Sequence, residues 1–183
     1  MKKYKTSLVI VACFWAVCFA AEPNEKKSET DFQIATHSAQ IVLYTVYRGP
    51  YEQSGQAIGE LFAIAGKNQI RPMGALTFAY LNNPTTVKPQ HLLTEIRIPV
   101  SADALKLQGT LGAMTDIKEI PEMKVVTARK PVGTEDPSQI YSALTKWISE
   151  NGYLIVDAPF EQMSMAGSYK DMETIISIPI EKI

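Results

Sequence analysis

The chain has 183 residues, 46% hydrophobic and 20% charged, with 18 Lys and Arg against 19 Asp and Glu for a net charge of −1. That is enough apolar chain for one domain or two small fused ones. The charge balance lacks the basic excess a nucleic-acid backbone demands, and two histidines, His37 and His91, give metal chemistry little to build on.

Residues 1–20 read as a secretory signal. "MKKYKTS" is a basic start, "LVIVACFWAVCFA" is an apolar core too short to span a bilayer comfortably, and Cys18-Phe19-Ala20 offers small residues at the positions a signal peptidase reads. Ile10-Val11-Ala12-Cys13 resembles a lipobox, which gives lipid anchoring as an alternative processing route. Cys13 and Cys18 both fall in this segment, so the mature chain would carry no thiol, hence no disulfide and no thiolate metal site. Losing Lys2, Lys3 and Lys5 leaves 15 basic residues against 19 acidic ones, a net charge of −4. The expectation is an exported protein, periplasmic or extracellular, with no nucleic-acid partner and no stable membrane span after cleavage. Residues 21–38, "AEPNEKKSETDFQIATHS", are polar and unpatterned and read as a flexible tether. Residues 39–183 form the folded body.

"IVLYTVY" from Ile41 is β-branched and aromatic, a strand halted at Arg48-Gly49-Pro50. Ala57, Ile58, Leu61, Phe62 and Ala65 then recur at helical spacing, with Gly66 as the stop. "GALTFAYL" is the second strand, ending in the turn-rich "NNPTT", and "LLTEIRIPV" is the third. After residues 101–122, read as a linker, the order repeats. "MKVVTARK" is a strand broken at Pro131 and Gly133, and Asp136-Pro137 opens a helix as N-cap and first-turn proline. Ile140, Tyr141, Leu144, Trp147 and Ile148 form its apolar face, and Asn151-Gly152 closes it. Residues 160–165 and "METIISIPI" supply two more strands. Pro99 recurs as Pro179 and Pro50 as Pro131, which marks an internal duplication: repeat one over 39–100, repeat two over 123–183.

The predicted class is therefore α+β: two tandem strand-helix-strand-strand repeats in pseudo-twofold relation, antiparallel sheets with a helix on one face of each, and a cleft between repeats. In "LLTEIRIPV", Thr94, Ile96, Ile98 and Val100 share one face, the floor for the helix, while Leu93, Glu95, Arg97 and Pro99 share the other. Thr174, Ile176, Ile178 and Ile180 repeat the helix floor, with Glu173, Ile175 and Ser177 opposite. A cleft between the second, mixed faces is the expected place for a ligand.

"YRGPYEQSGQAIGELFAIAG", the Tyr-Leu-Asn-Asn-Pro after the second strand, "TEIRIPV" and "ALTKWISENGY" together resemble the GyrI-like effector-binding domains over about residues 39–182. Such domains also end multidrug-sensing regulators of the AraC and MerR types, and they are related in fold to the SOUL haem-binding proteins. The resemblance implies two fused repeats around an aromatic pocket for hydrophobic, often cationic, small molecules, commonly with a buried glutamate. The chain departs from the pattern in repeat two: "KPVG" replaces Gly-Pro-Tyr, Met163 stands for the strand tyrosine and Ile175 for the glutamate. Repeat one keeps Gly49-Pro50-Tyr51, Tyr80 and Glu95.

Glu95 is thus the leading site candidate: an ionised carboxylate in a poorly hydrated cleft attracts an organic cation, and one with a raised pKa can pass a proton. Its bland alternative is an ion pair with Arg97. Phe78 and Tyr80 share a strand face and could stack on a ligand, or simply fill the core between repeats. Tyr51 could lean over the cleft mouth or only anchor the helix start. Met163 and Met165 alternate on one strand and fit either core or cleft. Glu173 could replace the missing second glutamate one step displaced. Trp147, Asp136 and Asp157 read as core, cap and turn. No cofactor is expected; His37 in the tether and His91 in a turn are poorly placed as haem ligands.

The resulting expectation is an exported, stand-alone small-molecule-binding protein. With an export signal in place of a DNA-binding module, a transcription-factor role is not expected. Two rivals stand beside it: a hydrolase of small electrophilic metabolites with Glu95 as acid/base and Tyr80 as partner, and an inhibitor-like protein-binding module.

Overall fold

The computed structural model describes residues 32–134, 136–163 and 174–183. Within them the elements run β1 (Gln33–His37), β2 (Gln40–Arg48), α1 (Gly55–Lys67), β3 (Thr77–Tyr80), β4 (Leu93–Val100), β5 (Thr115–Ile120), β6 (Met123–Lys130), α2 (Ser138–Glu150), β7 (Tyr153–Ile155), β8 (Phe160–Met163) and β9 (Thr174–Lys182). Eight strands make one antiparallel sheet in the order β1-β6-β9-β8-β3-β4-β2-β5, and β7 pairs with the far end of β9. The two expected strand-helix-strand-strand units are both present, joined at the centre where β3 of one meets β8 of the other.

The pairing fixes how the copies correspond. Tyr80 lies opposite Thr94 and Met163 opposite Thr174, while Tyr47 lies opposite Thr94 and Lys130 opposite Thr174. α1 and α2 each have 13 residues and start at Gly55 and Ser138, the same separation as Tyr80 and Met163. On that offset Leu61 matches Leu144, and Phe78 matches Glu161, its partner across the central pair. Pro131 consequently aligns with Arg48 rather than Pro50, so that proline spacing was coincidental; Pro99 and Pro179 do correspond.

Each helix buries its stripe on its own repeat. Leu61 and Ala65 of α1 pack on Leu43, Ile96 and Ile98, and Leu144 and Ile148 of α2 pack on Val126, Ile176 and Ile178. These aliphatic faces are the ones alternation assigns to the helix side. Trp147 of α2 stacks on Tyr153 at 6.2 Å, and Asp136 accepts hydrogen bonds from the Ser138 amide and hydroxyl at the head of α2.

Two segments read as connections are strands. Residues 33–37, assigned to a tether, form β1 and pair with β6; residues 115–120, assigned to the linker, form β5 and pair with β2. The exchange is reciprocal, since each repeat's leading strand crosses to the first long strand of the other. Both were missed because β1, "QIATH", is largely exposed and lacks a hydrophobic alternation, and "TDIKEI" has three charges in six residues.

Candidate functional site

The helices sit on the outer strands of the sheet and leave β3 and β8 uncovered between them. Over these strands lies a cleft of about 170 Å³ lined by Tyr51, Ser54, Phe78, Tyr80, Thr94, Lys130, Glu161, Met163 and Thr174. A cavity of ~150 Å³ holds benzene, so this one accepts a single ring, and a longer ligand would project from its mouth.

Period-two alternation explains the lining. Phe78 and Tyr80 of β3 share the helix-side face with Glu161 and Met163 of β8, and Thr94 and Thr174 flank them from β4 and β9. Tyr51 arrives from the short 3-10 turn Tyr51–Gln53 ahead of α1, and its ring packs against Tyr80 at a centroid distance of 4.9 Å. Gly49 permits this approach. Its φ is +149°, and a side-chain carbon there would collide with the Tyr47 hydroxyl.

Glu161 is the buried acid of the cleft, 6% exposed. One carboxylate oxygen accepts a hydrogen bond from the Tyr141 hydroxyl of α2 at 3.0 Å, and the other is ion-paired with the Lys130 ammonium from the end of β6. Burial, then the Glu161 charge, raise the pKa of both Tyr141 and Tyr80 above the usual tyrosine value, so both hydroxyls stay protonated at neutral pH. Burial, then Glu52, raise that of Tyr51. The Tyr51 and Thr94 hydroxyls are buried and have no hydrogen-bond partner among the described residues, although Thr94 is only 1% exposed. Unpaired buried hydroxyls are costly to a fold.

Of the residues the sequence nominated, Tyr51, Phe78, Tyr80 and Met163 meet in this cleft. Glu95 does not. Its neighbour Thr94 lines the cleft, so alternation sends Glu95 through to the opposite face. There it accepts Arg97 Nε at 2.6 Å and Lys118 Nζ at 2.8 Å, with the Lys118 ammonium 4.6 Å from the Tyr44 ring centroid. On that second face the described residues pack the seam between the repeats. The sheet carries His37 onto Phe160, 4.9 Å between centroids, beside buried Ala79 and Val125. His37 is thus a half-buried strand residue, and burial, then Arg97, lower its pKa. His91 is exposed and contacts Arg48. Glu173 and Met165 lie outside the described residues, as do residues 1–20. Among the described residues no group of three or more His, Asp or Glu is arranged to hold a metal ion.

Glu161, Lys130 and Tyr141 were not singled out as site residues. The signal was present: aligning Met163 with Tyr80 places Glu161 on Phe78, Lys130 on Tyr47 and Tyr141 on Ile58. Glu161 lies two strands from Glu95, at a position whose counterpart in repeat one is an aromatic rather than an acid.

No protein-family model matches the chain, and no curated protein does. Solved structures do share its fold. The C-terminal domain of EcmrR superposes with a TM-score of 0.70 at 17% identity, over 85% of this chain and 99% of that one. EcmrR in its complex with DNA gives 0.69 at 17% identity over 84% of this chain, which spans only 58% of that protein. A hydrolase from Listeria innocua gives 0.59 at 10% identity over 83% and 92% of the two chains. At these identities the likeness is one of fold, and it is the two-repeat fold that the GyrI-like resemblance implies.

Proposed function

We propose that this chain binds a small amphipathic molecule in the cleft between its repeats and does so after export, as a stand-alone binding protein. The observation that carries the reading is an open aromatic cleft with a buried, doubly held carboxylate, Glu161, on its floor. Tyr51, Phe78 and Tyr80 supply flat apolar wall, and Lys130 supplies a polar contact. The fold shared with the EcmrR C-terminal domain supports this reading, and the composition of residues 1–20 supports export. Native mass spectrometry of protein purified from its own envelope tests both parts. A retained small molecule that is lost in Phe78→Ala is expected, on a chain whose mass begins at Ala21. An empty protein that binds no ring-bearing probe ends the binding reading, and a chain that keeps residues 1–20 ends the export reading.

The Glu161–Tyr141 hydrogen bond favours one second reading, a hydrolase of small electrophilic compounds; the Listeria innocua protein of like fold is described as a hydrolase. In it Glu161, not Glu95, is the acid/base. Turnover of an electrophilic substrate that disappears in Glu161→Gln is its expected sign.

A further inference from the structure

The cleft is divided by chemistry along its pseudo-twofold axis. Repeat one contributes the aromatics Tyr51, Phe78 and Tyr80 with Ser54 and Thr94, and no charged side chain. Repeat two contributes Glu161, Lys130 and, behind them, Tyr141. The corresponding positions in repeat one are Phe78, Tyr47 and Ile58, so the whole charged set belongs to one copy.

Within that set the carboxylate is already engaged. Oε1 of Glu161 is held by Tyr141 and Oε2 by Lys130, with the side chains of Glu161 and Lys130 only 7% and 21% exposed. An ammonium has three donors and no acceptor, so Lys130 keeps donor capacity beyond its bond to Glu161. A cationic ligand would have to evict Lys130 from a sheltered ion pair and then face a second positive charge at close range, which low local dielectric makes severe. A ligand with an accepting polar end meets the spare donors of Lys130 and leaves the Lys130–Glu161 pair in place.

From this arrangement we infer that Lys130 acts as a tethered cation that fills the place beside Glu161, and that the cleft selects ring-bearing molecules with an anionic or neutral accepting end, such as an arylalkyl carboxylate, over lipophilic cations. The inference rests on the proposed binding function and names its ligand class. Lys130 is thereby a specificity-determining residue, a role invisible in its sequence context "TARKPVG".

The test uses three probes of matched shape, 3-phenylpropionate, 3-phenylpropanol and 3-phenylpropylammonium, titrated into the protein and followed by NMR shifts of the cleft residues. The wild-type protein is expected to bind the carboxylate at least tenfold more tightly than the ammonium, with the alcohol between. Lys130→Met and Lys130→Gln, checked for folding by circular dichroism, are expected to reverse the order, the ammonium gaining at least tenfold. If the wild-type protein prefers the ammonium, or the order survives loss of Lys130, the inference is overturned while the binding function stands. If no probe shifts any cleft resonance in any form of the protein, the binding function itself fails. The wild-type ranking decides the matter even where neither variant folds.

Discussion

Two buried glutamates, Glu95 and Glu161, differ in what surrounds them: only Glu161 lines the cleft. Both are about equally buried and both are ion-paired, yet they lie on opposite faces of one sheet. Glu95 neutralises Arg97, itself 8% exposed, together with Lys118. Removing one partner of a buried pair leaves the other charge uncompensated, a loss of roughly 3–5 kcal/mol. Glu95→Gln is therefore expected to lower chemical-denaturation stability by a few kcal/mol and leave the ranking of phenylpropyl probes unchanged. Glu161→Gln is expected to alter that ranking, because Lys130 loses its counter-charge at the ligand site. Movement of probe ranking by the Glu95 variant alone would reverse these assignments. His37 gives a prediction in pH. Its folded-state pKa lies below the usual 6.5 because burial against Phe160, then Arg97, disfavour the charged form, and its ring also contacts Gln40 at 2.9 Å. The unfolded chain then binds the proton more readily, so this contribution is complete above about pH 6.5 and drains away as pH falls below it. Unfolding midpoints measured from pH 7.5 down to 5.5 should decline in the wild-type protein and decline less in His37→Gln.

At the scale of elements, the stripes carry the argument. Leu61 and Leu144 occupy equivalent places in α1 and α2, and both are fully buried. Truncating either to alanine removes the same methyl groups from the same kind of site, so each is expected to cost about 2–5 kcal/mol in denaturant unfolding. A large inequality between them would mean that one helix is held by something other than its stripe. These helices and the long strands were legible in the sequence because burial on one face writes a period, 3.6 in α1 and α2 and 2 in β4 and β9. β1, β5 and the three-residue β7 were not, because β1 and β7 are short and exposed, the charges of β5 mask its buried Ile117 and Ile120, and all three owe their conformation to a partner strand. The site was half legible for the same reason. Phe78 and Tyr80 announce themselves as aromatics on one face, whereas Glu161 in "FEQM" acquires meaning only from the strand opposite it. The face of Glu95 was read correctly; the cleft lies on the other face, because the two repeats join edge to edge through β3 and β8 in one sheet.

The whole molecule is held together by exchange as well as by duplication. β3 and β8 join the repeats at the centre, and at the rims β1 covers β6 while β5 covers β2, so each copy's leading strand is bound to the other copy. Such reciprocal pairing has a consequence for the segment that reads as a tether. If residues 33–37 merely linked an export signal to a folded body, a chain beginning at Ser38 would be as stable as one beginning at Ala21. The structure requires otherwise. Removing β1 strips the ladder from β6, withdraws His37 from Phe160, and opens the strand that carries Val125 and Val126 as a new sheet edge. The lost hydrogen bonds and ring contact amount to about 2 kcal/mol or more, and an open edge invites pairing between molecules. The shorter chain is expected to melt several degrees lower and to elute partly as oligomers in size-exclusion chromatography, whereas a chain beginning at Ala21 melts as a monomeric species. Equal melting temperatures and equal elution would show that β1 rests on the sheet without supporting it, and the repeats would then be held at the centre alone.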